Sequence, residues 1–290
     1  MDRPRQQTTI TDEVSVSGFG FWSGRDVNLT FVPARADTGV VFVRSDLPNH
    51  PRIPAVIQNR VNGPRRTTLV SHGTPVEMVE HVLAALAGMQ IDNCEVHVNR
   101  AEMPGGDGSS LAFTNALSKT KIVELDQQRR VIRVNHTFRV GNEDSWIQAE
   151  PNSVDELDLT YNLNYACPAI GTQSYQSVIT PQIFVSQISS ARTFVLVEEA
   201  EQLKKQGLGK RVTYQDVIVF DDNGPIDNPL RFEDECARHK LLDMVGDFSL
   251  SGADLIGKIT AHRSGHRLNS QLVFGLLQQI VQSLPSRLSA

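Results

Sequence analysis

The stretch Arg238–Asp247, RHKLLDMVGD, spaces three titratable groups four residues apart: His239, Asp243 and Asp247. On a helix, residues at i and i+4 share one face. With His239 at zero on a helical wheel, Ala237, Leu241, Met244 and Phe248 fall at about 140–200°. The helix therefore docks an apolar stripe and turns its histidine the other way. A second pattern, PVEMVEHVLAALAGMQ from Pro75, repeats this design. With His81 at zero, Val79, Leu83 and Leu86 fall at about 140–200°. Pro75 suits the start of that helix and Gly88 lies near its end. Seven residues after each histidine stands a glycine, Gly88 or Gly246, where another backbone can approach closely. A solvated face would carry Lys, Glu and Arg, whereas the first helix offers Ala84, Ala85 and Gly88. Two helices facing each other, with His81 and His239 meeting across the contact, is the simplest arrangement.

Outward from these helices, each half has the same order. VSVSGFGFW, VNLTFVPA and GVVFVRS read as short strands punctuated by Gly, Pro and Asp ahead of the first helix. IDNCEVHV follows as a strand, EMPGGDGSS as a loop with Asp107 or a serine as cap, and SLAFTNALSK as a short helix. In the second half RRVIRVNHTFRV, SWIQAE and LDLTYNLNY read as strands, and DLIGKITAHR as a strand after the second helix. A last helix is expected over about Asn269–Ser283. The expected class is α+β: two similar domains, each a mainly antiparallel sheet layered with helices, with a site between them. The polar run SKTKIVELDQQRR places the boundary near 119–130, giving domains 1–124 and 125–290.

The chain has 290 residues, 40% hydrophobic and 21% charged, as an ordinary globular protein has. A net charge of −5 argues against a nucleic-acid binder. Cys94, Cys167 and Cys236 are few, odd in number and far apart, which fits a reducing compartment without disulfides or a cysteine zinc site. No signal peptide and no run of membrane-spanning length is visible. A cytoplasmic, monomeric protein is expected. GFGFWSG lacks the spacing of a dinucleotide loop and no GxxxxGK[ST] occurs, which argues against NAD or ATP.

Imidazole and carboxylate both suit Zn²⁺, and Fe²⁺ accepts the same ligands. His239 and Asp243 are two ligands; His81 from the facing helix makes three and leaves a fourth position for water, the open arrangement of a catalytic zinc. Glu80 flanks this set and can take a proton from that water. Asp247, one turn further on, can orient a histidine, and His266 in AHRSGHRLN is the candidate, serving as general acid. Lys240, Arg263 and Arg267 add positive charge for a phosphate or an oxyanion.

Taken in order, VEHVLAALAGMQIDN, PGGDGSS, SARTF, GLGK, RFEDECARHKLLDMVGD and SGHRLN resemble the UDP-3-O-acyl-N-acetylglucosamine deacetylases, zinc enzymes of lipid A synthesis. The resemblance covers nearly the whole chain. It implies the same two-domain fold, zinc on His81, His239 and Asp243, Glu80 as base, His266 as acid or oxyanion partner and Asp247 orienting it. It further implies that Thr193 helps hold the oxyanion, that Lys240 assists, and that Phe194, Tyr165 and Arg263 contact substrate. The implied reaction removes acetate from the 2-acetamido group of an acylated UDP-sugar. The region from Ser189 to Phe220 would house a passage for the acyl chain. Arg263 replaces a lysine common in the family, and Arg211 and Val212 replace a common glycine pair, which bears on the mouth of that passage. Two rivals remain: a metal hydrolase acting on another amide or ester, and a non-catalytic binder of sugar nucleotides or acyl lipids.

Overall fold

The computed structural model describes residues 4–283. The first half holds a five-stranded sheet in the order Val14–Phe19, Asp26–Pro33, Cys94–Val98, Val40–Arg44 and Arg52–Pro54. Every pairing is antiparallel except Val40–Arg44 against Cys94–Val98. Alternation decides which face is covered: Val27, Leu29 and Phe31 are buried while Asp26 and Asn28 are exposed. Beside it, Arg60–Val61, Thr68–Ser71 and Thr74–Glu77 form a three-stranded antiparallel sheet. The second half holds a six-stranded sheet around the long strand Asp254–His262. Trp146–Glu150 pairs with that strand antiparallel, and Val131–Arg133 and Leu157–Asn164 pair with it parallel. The architecture is α+β, with mostly antiparallel sheets and helices packed against them.

Helix Glu80–Gly88 and helix Glu235–Phe248 lie against each other at the centre. The first is buried on all sides except at Ala87, and the second carries Glu235, His239, Asp243 and Asp247 into the interior. Neither has a solvated face, since each is sandwiched between its own sheet and the other helix. Gly246 makes this contact possible. A Cβ there would lie 2.2 Å from the carbonyl oxygen of Glu80. Gly88 works differently from expectation: a Cβ there would meet the Phe184 ring at 2.2 Å, so the partner is a side chain and not a backbone.

Pro75 does not start a helix. It sits in the strand Thr74–Glu77, opposite Val70, and the helix begins at Glu80 after Met78 turns the chain with φ +58°. The polar run after residue 119 is no free connection either. Ile122–Gln128 pairs antiparallel with Gln6–Ile10. Behind this ribbon, Arg5 holds both oxygens of Asp92 at 2.6 and 2.7 Å and both of Asp254 at 2.7 and 2.9 Å. Arg129 reaches the same two carboxylates at 3.1 and 3.2 Å. These four charges tie the first half to the strand Asp254–His262 of the second.

Between Thr172–Val178 and helix Glu235–Phe248, the strands Phe194–Leu196 and Ile218–Phe220 pair in parallel, with helix Val197–Lys205 between them. The last helix runs His266–Ser283, three residues earlier than the apolar stripe marks. Among the described residues, no helix is long and apolar enough to cross a membrane.

Candidate metal centre and surrounding cleft

Helices Glu80–Gly88 and Glu235–Phe248 bring His81, His239 and Asp243 together. One potential ligand atom from each lies within 4.8 Å of the others, and all three residues are buried. The imidazole rings are 5.1 Å apart at an interplanar angle of 81°. His81 Nε2 and His239 Nε2 stand 3.6 and 3.5 Å from Asp243 Oδ1. His239 Nδ1 lies 3.1 Å from the carbonyl of Ala191, which it satisfies as an N–H donor, leaving Nε2 with its lone pair toward the centre. Burial pushes the His239 pKa down to about 3, so the ring is neutral and able to ligate.

Asp243 Oδ1 is buried and has no hydrogen-bond partner among the described residues. Its other oxygen accepts from Lys240 Nζ at 2.9 Å. Burial opposes its charge, yet Lys240 above all, with His266, holds the carboxyl well below the usual carboxylate range. An ionised oxygen with nothing donating to it costs roughly 1–3 kcal/mol or more. Two imidazole nitrogens flank the same point, a donor set that suits a divalent cation with at least one position open.

Glu80 begins the first helix and is buried. The main-chain N–H of Thr67 donates to its Oε2 at 2.9 Å. Burial raises its pKa against the pull of His266 and His81. Asp247 Oδ2 lies 2.8 Å from His266 Nδ1 and accepts from Asn269 Nδ2 at 2.8 Å, while Oδ1 accepts from the Thr67 hydroxyl at 2.6 Å. Burial disfavours charge on His266, but Asp247, Asp243 and Glu80 outweigh it and raise its pKa to about 9. His266 Nε2 faces Glu80 Oε1 at 3.9 Å.

These groups open on a cleft of about 490 Å³. Thr193 and Phe194 form one wall, held by Thr193 N–H donating to Gly108 O at 2.8 Å. A Cβ at Gly108, whose φ is +81°, would press on the Thr193 methyl at 2.8 Å. The PGGDGSS loop is thus the seat of the Thr193 strand. Tyr165 packs edge-on to Phe194 at 5.4 Å, and Lys240 lies 5.8 Å above the same ring. Away from the polar end, Leu203, Leu208, Val212 and Val217 line the cleft. Its roof is pinned twice to the first half. Arg65 Nη2 pairs with Glu199 Oε1 at 2.7 Å, and Arg211 pairs with Asp26 at 2.7 Å, donates to Gly24 O at 2.9 Å and covers the Phe19 ring at 4.3 Å.

The structure therefore gathers Glu80, His81, Thr193, Phe194, Tyr165, His239, Lys240, Asp243 and His266 on one cleft, with Asp247 behind His266. Arg267 also lines it. Arg263 is outside the lining: it is exposed and turns with φ +50° at the end of its strand. His266 opens the last helix, ahead of the start at Asn269 that the apolar stripe marks. The sequence gives no sign of Thr67, Arg65–Glu199 or the Arg211 staple. A threonine following two arginines has no periodicity, and its partner Asp247 lies 180 positions away.

The family model for UDP-3-O-acyl N-acetylglycosamine deacetylase matches residues 7–278. The UDP-3-O-acyl-N-acetylglucosamine deacetylase of Hahella chejuensis (strain KCTC 2396) is 38% identical over 277 residues, 94% of this chain and 91% of that protein. The enzyme of the same name from Oleidesulfovibrio alaskensis (strain ATCC BAA-1058 / DSM 17464 / G20) is 39% identical over 269 residues, 91% of this chain and 86% of its own.

Proposed function

The chain belongs to the UDP-3-O-acyl N-acetylglycosamine deacetylase family, and on that premise we propose that it hydrolyses the 2-acetamido group of UDP-3-O-acyl-N-acetylglucosamine as a step of lipid A biosynthesis. Water adds to the amide carbonyl, the C–N bond breaks, and acetate and the free 2-amine leave. The observation that carries this reading is Asp243 Oδ1, buried and unpaired between two imidazole nitrogens. His81, His239 and Asp243 would hold the ion, Zn²⁺ by ligand chemistry, with Fe²⁺ acceptable to the same set. When bound, a divalent ion there supplies Lewis acidity toward the carbonyl and the attacking water.

The rest falls to side chains. Glu80, raised in pKa and fixed by Thr67, takes the proton from water. His266, kept protonated by Asp247, faces Glu80 across 3.9 Å and gives a proton to the departing nitrogen. Thr193 and His266 stabilise charge growing on the carbonyl oxygen. Lys240 holds Asp243, and Tyr165 and Phe194 pack against the sugar nucleotide or its acyl chain. Arg263 is exposed outside the cleft and would touch only a part of the substrate that projects from it. The apolar end, with Leu203, Leu208, Val212 and Val217, accepts the acyl chain. The setting is cytoplasmic and the working unit a monomer.

Acetate release from UDP-3-O-acyl-N-acetylglucosamine, with metal content measured in parallel, is the test. Wild type should release acetate with about one metal per chain. His239→Ala should lose metal and activity together. Glu80→Ala should keep the metal and lose turnover by at least about 100-fold. Loss of metal in Glu80→Ala would make Glu80 a ligand and reverse the roles.

A further inference from the structure

Four residues form a ring with one open edge. The Thr67 hydroxyl donates to Asp247 Oδ1 at 2.6 Å, Asp247 Oδ2 meets His266 Nδ1 at 2.8 Å, and the Thr67 N–H donates to Glu80 Oε2 at 2.9 Å. The remaining edge, His266 Nε2 to Glu80 Oε1, measures 3.9 Å. Three edges are hydrogen bonds; the fourth is too long to be one. Both residues on that open edge line the cleft. Thr67 is the only member of the ring that touches both carboxylates, and it is buried. It also anchors the approach to Glu80, because its carbonyl accepts from Val79 N–H at 3.3 Å.

We propose that Thr67 is a positioning residue that sets the spacing of Glu80 and His266, its main-chain N–H fixing one and its hydroxyl fixing the other through Asp247. This rests on the reading of Glu80 and His266 as the proton-transferring pair. The physical reason is geometric. A carboxylate with no hydrogen bond swings freely about its χ angles, and proton transfer falls steeply when donor and acceptor are misplaced by an ångström. The Thr67 N–H takes Oε2 and leaves Oε1 free toward the cleft. The hydroxyl takes the Asp247 oxygen that His266 does not use. One residue just ahead of the strand Thr68–Ser71 thereby fixes both arms, although they come from opposite halves of the chain.

The test uses the metal-loaded enzyme and three variants: Thr67→Val, Thr67→Ser and Glu80→Ala. Thr67→Val keeps the shape and the main-chain N–H and removes the hydroxyl. It should bind metal as wild type does, with kcat lower by about 10- to 100-fold and KM within about threefold. Thr67→Ser restores the hydroxyl and should recover most of the lost kcat. In proton NMR the strongly hydrogen-bonded His266 Nδ1–H resonance should move in Thr67→Val and return in Thr67→Ser. A folded, metal-loaded Thr67→Val with wild-type kcat overturns the inference, as does a Thr67→Ser as slow as Thr67→Val. If Thr67→Val does not fold, the wild-type hydroxyl proton decides: slow exchange with solvent supports the inference, and fast exchange overturns it. If wild type itself releases no acetate, or Glu80→Ala keeps full turnover, the underlying reading fails and not this one alone.

Discussion

At the scale of single residues, the site turns on which groups are charged. Asp247 is the first cause holding His266 protonated, with the pKa raised to about 9 from 6.5. A raised histidine pKa means the imidazolium persists as pH climbs and is lost only near the upper value. The basic limb of kcat against pH should therefore lie above 6.5. A metal that neutralises Asp243 removes one of the raising charges and brings the limb below about 9. In Asp247→Asn the principal raising charge is gone, so the limb should move further toward acid and kcat should drop by about 10- to 100-fold. A pH–rate profile whose basic limb does not move would remove His266 from the role of acid. The clustering of His81, His239 and Asp243 was legible in sequence, because His239 and Asp243 stand at i and i+4 on one helix and His81, with Glu80 before it, stands on a matching one. Thr67 was not, because its contacts come from just ahead of a strand, far from Asp247 in the chain.

At the scale of elements, two helices approach so closely that only hydrogen fits between them at one point. Gly246→Ala would drive a methyl into the Glu80 carbonyl at 2.2 Å. Backbone cannot give way as a side-chain tip can, so the helices must part. The expected cost is about 3 kcal/mol of stability, read from urea unfolding, with weaker metal binding as His81 and His239 separate. Full metal affinity in this variant would mean the centre tolerates movement that its geometry denies. The facing helices themselves were readable from the wheel. What the wheel could not give was the identity of each glycine's neighbour: Gly246 receives a carbonyl, whereas Gly88 receives the Phe184 ring. Pro75 misled for a related reason. Proline suits the first turn of a helix and also an edge strand, and only the pairing with Val70 distinguishes them.

At the scale of the whole molecule, the halves are joined at the back by charge. Asp92 is buried beneath two guanidiniums, Arg5 and Arg129, which also share Asp254. Arg5→Ala leaves Asp92 with one charged partner, Arg129, and should cost about 2 kcal/mol, seen as a lower urea midpoint, with kcat near that of wild type because the cleft lies elsewhere. A large loss of kcat at unchanged stability would show that this clamp reaches the cleft. The α+β class and the shared order of elements followed from alternating and helical patterns; the clamp did not, since its arginines are unremarkable in sequence and acquire meaning only from the two acids brought to them. On the opposite side the roof is fastened differently, by Arg65–Glu199 and Arg211–Asp26, which stand in water with Asp26 85% exposed. Fasteners of that kind weaken as ions accumulate around them, within a screening length of about 8 Å at physiological ionic strength. Added salt should therefore hasten the traffic of a long-tailed ligand in and out of the chamber while leaving the buried hydrogen bonds of Asp247 to Thr67 and His266 untouched.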